Sequence, residues 1–398
     1  MPVTLVAGDL ATDIINQSQR VIDMQDSISE LEPNNAPFVA ILRKIGKYQA
    51  KSPKVEWLED ESMPRFDVMS AAVTGSAVSA IPVTNASYFR VGDGVRITET
   101  GEFVEVTGVS ASGIGVTRGV GNTSAVSCTS AAGLYIVNNA NAEGASLRTI
   151  KTVRLVNQSN FCQIIRTPFG VTGTEMASQL YGQYSNDRVR LQHKYGLEHE
   201  RQIEATVFWG AKKEDTTTAG APKRWAGGCY EFIQTNVYNA GGVLTRANFE
   251  NLFLRKAFRF GSDRKVLFCS PLLMQAIDGF AWNGYYAGPL GNQNMTGASR
   301  VNYNSPASEY GVAVKTYVCS QGTVDIVMKR HWNDNTNLSG DGFLLDLDAI
   351  KLATLRDTKL LLERQANDAD KLEDEYLSEL SLIFEHERRH GLITGVTG

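Results

Sequence analysis

The first stretch with a clear hydrophobic period runs from about residue 8 to residue 50. Ile14, Ile15, Val21, Ile22, Met24, Ile28 and Leu31 recur among polar residues at roughly helical spacing, which predicts a helical arm. The arm is interrupted at Glu32-Pro33-Asn34-Asn35-Ala36-Pro37, because proline lacks an N–H donor and pushes the residue before it away from helical geometry. A second apolar piece, Phe38 to Leu42, follows and ends in the basic residues Arg43, Lys44 and Lys47. From residue 70 to 140 the period changes to two. Val95-Arg96-Ile97-Thr98 and Val104-Glu105-Val106-Thr107 alternate apolar and polar on either side of Thr100-Gly101, a hairpin pattern. Residues 114–117 and 134–137 supply two more short strands, so this segment reads as a small β-domain inserted into something else.

Residues 166–175, RTPFGVTGTE, place Thr172 and Glu175 at the spacing of a capping box. The pattern predicts one long helix from there to about Phe208, with Leu180, Tyr184, Leu191, Tyr195 and Ile203 on one stripe and charged residues on the other faces. Further on, a helix is predicted from Thr245 to about Phe258, a buried strand over 265–269 and a helix over 271–281. A long loop rich in Gly, Asn and Tyr follows over 282–310, then strands over 312–318 and 324–328. An extended run begins at Leu344 and passes through Ile350 toward Gln365. In the last segment, Tyr376 to Ile393, Leu380, Leu382 and Phe384 alternate with polar residues, the mark of a strand. The fold class is α+β.

Composition narrows the function. A chain of 398 residues can bury a large core and hold more than one lobe. A net charge of -4 is not that of a dedicated nucleic-acid binder, which would be basic overall. No run of apolar residues is long enough for a membrane helix, and the N-terminus lacks the basic start of a signal peptide, so no membrane partner is expected. Cys128, Cys162, Cys229, Cys269 and Cys319 are scattered without a CxxC pair, which suits reduced, buried cysteines.

Candidate chemistry is sparse. His386-Glu387-Arg388-Arg389-His390 matches the HExxH zinc-peptidase pattern, which needs both histidines one helical turn apart. Here the surrounding run reads as a strand, where positions four apart lie about 13 Å from each other. One zinc with bonds of about 2.1 Å does not span that distance. His193 and His199 are six apart and face different sides of the predicted helix. Four carboxylates, Glu56, Glu59, Asp60 and Glu61, surround Trp57 without catalytic spacing. The glycines of Arg118-Gly119-Val120-Gly121-Asn122 read as a turn between strands, and no Walker loop or nucleophile elbow occurs. No catalytic, cofactor-binding or metal residue is assigned.

The order of parts, with LEPNNAPFVAILRK at 31–44, VEWLEDE at 55–61, RTPFGVTGTE at 166–175 and HGLITG at 390–395, resembles the major capsid proteins of tailed double-stranded-DNA phages. The resemblance implies the Hong Kong 97 fold with a small inserted all-β domain. By it, residues 1–54 are the N-terminal arm, and 55–81 with 141–173 the extended loop that lies over a neighbouring subunit. Residues 82–140 are the insert, 174–210 the spine helix, 211–342 the axial domain, and 343–398 the peripheral strands and C-terminus.

The resemblance also implies a structural, non-enzymatic subunit. It would self-assemble into pentamers and hexamers of an icosahedral virion shell, built in the host cytoplasm around double-stranded DNA bound without sequence specificity. A portal is implied too, and a separate scaffolding protein, since shell-like sequence begins almost at once. Some members weld subunits through a loop lysine and an asparagine. No lysine occurs from Val55 to Ile150, and Lys151 is alone on the returning half, so no such weld and no covalent ladder of mature particles is expected. Intersubunit contacts are expected from Glu56, Trp57, Glu59, Asp60 and Glu61 and from Arg43, Lys44 and Lys47, with Glu59 and Asp60 pairing with a neighbour's basic residues. Two other readings stay open: a β-rich phage decoration or adhesion protein, and a zinc metallopeptidase using His386, Glu387 and His390.

Overall fold

The computed structural model describes residues 37–178, 187–218, 220–286, 301–302, 315–334 and 338–397. The helical pattern before residue 37, most of the loop expected over 282–310, and Leu180 and Tyr184 lie outside the described residues. The chain divides into two compact units: Met1–Trp57 with Gln158–Gly398, and Leu58–Asn157.

In the larger unit, a four-stranded sheet runs in the order Lys47–Gln49, Ile350–Leu361, Lys371–Phe384, Gln163–Thr172. The long helix Asp187–Trp209 packs on the last two strands. Its contact stripe is not purely apolar. His199 is fully buried, with Nδ1 2.8 Å from Thr167 Oγ1 and Nε2 2.7 Å from Ser378 Oγ. Thr167 donates to Gln202 Oε1, so the imidazole Nδ1–H donates to Thr167 and Nε2 accepts from Ser378. Burial, with Arg43 nearby, holds this histidine below its ordinary pKa, as a neutral ring. Arg188 grips Asp374 through two bonds of 2.7 and 2.8 Å. Gly196 lets the helix approach the sheet, since a Cβ there would lie 3.2 Å from Tyr376 Oη.

A second, seven-stranded sheet has the order Val237–Gly242, Gly391–Val396, Gly342–Leu345, Arg264–Cys269, Thr323–Met328, Lys315–Val318, Val301–Asn302. The run Arg264–Cys269 lies inside it and is buried on both faces from Lys265 onward, which explains the apolar stretch Val266–Cys269. Val266 and Phe268 join a core with Phe38, Phe208 and Trp332, while Leu267 and Cys269 join another with Phe249, Leu273 and Ile277. The period-two geometry of one strand thus knits two cores together.

The smaller unit is a six-stranded sheet in the order Phe66–Val68, Gly133–Asn139, Asp93–Ile97, Phe103–Val109, Gly113–Thr117, Ala80–Pro82. The Thr100-Gly101 hairpin pairs as expected, Val95 opposite Val104. A buried Arg118–Glu102 ion pair, which sequence reading missed, ties down the glycine turn at 119–121. Burial would raise the Glu102 pKa, but the Arg118 bond and the Val126 and Gly119 N–H groups bring it below normal. The unit is wider than the 82–140 segment expected, because the strands Phe66–Val68 and Ala80–Pro82 complete its sheet.

Four other expectations need correction. The capping box does start a helix, with Thr172 Oγ1 accepting from the Glu175 N–H, but Gly173–Ala177 ends at Ser178, which is extended. The long helix is described from Asp187 onward, and the extended Ser178 means that no single helix runs over 174–210. The predicted run from Leu344 is two strands in two different sheets, parted by a 3-10 turn at Leu347–Ala349 where the Asp346 side chain accepts from the Asp348 N–H. The run 376–393 is likewise broken by a turn at Glu387–Arg389, and the helix from Pro271 continues to Tyr286.

Candidate assembly interface

The sequence-expected contact residues split into two groups. Arg43 and Lys47 meet acidic partners in their own chain: Arg43 donates to Glu200 at 2.8 Å, and Lys47 to Asp357 at 2.9 Å. The Asp357 pKa is held down by the Lys47 bond. Lys44 is exposed at the end of the helix Pro37–Ile45. Trp57 is half-buried, its ring 5.9 Å from Phe232, so it anchors the strand Lys54–Glu59 rather than projecting from it. Glu56 pairs with Lys54 along the same strand. Leu58, Asp60 and Glu61 are exposed and Glu59 is half-exposed. The structure therefore brings Arg43 and Lys47 into intramolecular pairs and leaves Leu58, Asp60 and Glu61 exposed.

The two histidines of HERRH do not converge on one point. The segment is a 3-10 turn rather than a helix or a strand end, entered through His386 at φ 52. Glu387 accepts from the Gln234 N–H at 2.9 Å, the Thr235 N–H at 3.2 Å and the Thr235 hydroxyl. His390 is fully buried against Phe384. Its Nδ1 accepts from the Asp346 N–H at 3.1 Å, which leaves Nε2–H to donate to Glu385 O at 3.3 Å. Both ring nitrogens are thus used inside the protein. No group of three metal-ligating side chains occurs among the described residues. The turn's work is structural. The chain crosses between the two sheets at 345–350 and again at 384–391, and His390 with the Glu385 N–H to Ala349 O bond ties the crossings together. Lys265 adds bonds to Ala257 O, Phe260 O and Arg389 O.

This histidine carries a pH prediction. Burial, helped by Lys265, pushes its pKa down to about 3. With the folded value below the ordinary one, the unfolded chain takes up the proton first. Its contribution is full above about pH 6.5 and is lost as pH falls toward 3, at up to about 1.4 kcal/mol per pH unit. From pH 7 to pH 5, urea unfolding of wild type should lose about 2 kcal/mol more than His390→Leu does, the contribution of His199 being common to both. Equal pH dependence in both proteins would refute the assignment.

Sequence reading also missed a buried charge in the larger core. Glu204 on the long helix pairs with Lys329, both almost fully buried, and its other oxygen accepts from the Val39 N–H at 3.4 Å. The only sequence signal was a glutamate four residues before Phe208 on the apolar side of an amphipathic helix.

Comparison with known proteins supplies the family. Residues 9–397 match the family model described as SU10 major capsid protein. The major capsid protein of Pseudomonas phage PaMx41 is 25% identical over 209 residues, 52% of this chain and 50% of the relative, so the match spans about half of that protein. The capsid asymmetric unit of cyanophage A-1(L) has a TM-score of 0.52 at 12% identity, covering 98% of this chain and 100% of the other. A chain of Mycobacterium phage Cain has a TM-score of 0.50 at 8% identity, covering 98% and 99%. At such identities these structures speak for the fold, which is the Hong Kong 97 type.

Proposed function

Because the chain belongs to the SU10 major capsid protein family, we propose that its copies assemble into pentamers and hexamers that close an icosahedral shell around phage double-stranded DNA. The family match over residues 9–397 carries this reading. The larger unit supports it: its four-stranded and seven-stranded sheets are joined by two chain crossings at 345–350 and 384–391, a packed body of the kind that can be repeated by symmetry. In this reading 55–81 and 141–173 lie over a neighbouring subunit and 82–140 decorates the shell. A separate scaffolding protein and a portal complete the assembly in the host cytoplasm, and the protein ends in the virion. Packaged DNA is confined without sequence-specific grip, consistent with the net charge of -4. Negative-stain electron microscopy of the expressed chain, alone and with neighbouring viral gene products, tests this. Rings of five and six or closed shells are expected, and a uniform monomer under every condition would overturn it.

The exposed acidic stretch is the proposed edge. The double substitution Glu59→Lys and Asp60→Lys should lower shell yield by about tenfold or more, since a like-charge contact costs several kcal/mol and recurs at every interface. Far-UV circular dichroism of the unassembled chain should be unchanged. Normal shell yield would remove these residues from the interface.

A further inference from the structure

In the smaller unit, four basic side chains gather near one carboxylate. Asp93 is fully used: Oδ2 accepts from the Arg90 backbone N–H at 2.7 Å and Oδ1 from the Arg148 guanidinium at 2.6 Å. Arg148 also donates to Val91 O at 2.9 Å, but its Nε is buried with no partner among the described residues. The Arg90 guanidinium finds only Met63 Sδ at 3.0 Å, a weak acceptor, and Lys151 O at 3.5 Å. The Lys151 ammonium is spent on the Ser87 and Phe89 carbonyls. Burial, and secondarily Arg90, lowers its pKa, while Asp93 opposes the shift. Arg65 lines the same cleft, exposed and without an ion pair among the described residues.

Arg65, Arg90, Asp93 and Arg148 border an open cleft of about 290 Å³, with Tyr88, Asn138 and Asn139 on its walls. Positive charge exceeds negative there, and guanidinium donors remain without good acceptors. The planar forks of arginine match the paired oxygens of a carboxylate or a phosphate. We propose that this cleft binds one compact oxyanion, a carboxylate or phosphate group, between Arg65, Arg90 and Arg148. The site stands whether or not the shell reading does. Its ligand has two candidate sources: a small free anion, or an acidic side chain of a second copy, for which the exposed Glu59-Asp60-Glu61 stretch is the segment at hand.

Arginine-selective dicarbonyl labelling read by mass spectrometry separates these sources. On the unassembled chain, inorganic phosphate at about ten times its dissociation constant should cut labelling of Arg65 and Arg90 by about tenfold. Exposed Arg96, outside the cleft, should be labelled as before. Arg65→Gln, at an exposed position, should weaken the protection of Arg90 without changing the melting temperature measured free of phosphate. A neighbouring copy as the source predicts protection in assembled particles without phosphate, lost when Glu59, Asp60 and Glu61 are changed to Gln, Asn and Gln. Failure of phosphate to protect, combined with particles that are unprotected or whose protection survives that triple change, would overturn the proposal.

Discussion

Replacing Glu204 with leucine is expected to destabilise the unassembled chain by about 3–5 kcal/mol, because it strands a buried ammonium. Glu204 and Lys329 are 5% and 4% exposed. Burial, with Arg201 adding to it, pulls the lysine pKa down to about 7, and the contact with Glu204 is the opposite charge beside it. The same carboxylate accepts from the Val39 N–H, so its loss also leaves a donor in the first turn of the helix Pro37–Ile45 without its acceptor. Three segments loosen at once: that helix, the long helix and the end of the strand Thr323–Met328. Urea unfolding should show a lower midpoint at unchanged slope. The double variant Glu204→Leu with Lys329→Met removes both charges and should return to within about 1–2 kcal/mol of wild type. A single variant as stable as wild type would mean that the pair is not buried in solution.

The contrast between this pair and the legible parts of the chain is instructive. The strand Arg264–Cys269 could be read at once, since the short apolar run Val266–Cys269 behind a basic pair is the length of a buried strand and too short for a helix. The hairpin around Thr100-Gly101 was equally plain, because alternation and turn residues agree there. What failed were the joints. Nothing in the periodicity between Leu344 and Gln365 marks the point where the chain leaves one sheet for another, since apolar residues stand on both sides of the joint at Leu344, Leu345, Ile350 and Leu352 and the turn is only three residues long. The same holds at Glu387–Arg389, whose neighbours continue the strand pattern on either side. Local pattern reports which face is buried, not which sheet buries it.

The candidate site was legible in the same uneven way. The acidic character of VEWLEDE follows from composition, whereas the strand expected at HERRH is a 3-10 turn that no periodicity announced. The fate of Arg43 and Lys47 was not legible either, because Glu200 and Asp357 are more than 150 residues away in the chain. A burial of His390 was also hidden: its partners are backbone groups, and no side-chain spacing records a backbone donor.

Phe208→Ala should be about as costly as the loss of Glu204, roughly 3–5 kcal/mol, by a different mechanism. The ring is 1% exposed and touches four others: Phe38 at 4.7 Å, Trp332 at 5.1 Å, Phe343 at 5.2 Å and Phe268 at 5.4 Å between centroids. These rings come from four separate segments, two of them strands of the seven-stranded sheet. Each is held by its own backbone, so none can move far enough to refill the space, and the variant keeps a cavity. The tilted and edge-on contacts add specific attraction that an aliphatic side chain does not replace. Phe208→Leu, which keeps most of the volume, should cost about 1–2 kcal/mol. Near-UV circular dichroism and Trp332 emission should change in the alanine variant more than far-UV signal does, since side-chain packing is lost while the helix Asp187–Trp209 remains. A loss below about 1 kcal/mol would show that the surrounding rings collapse into the gap, and that the joint between helix and sheet is softer than its packing implies.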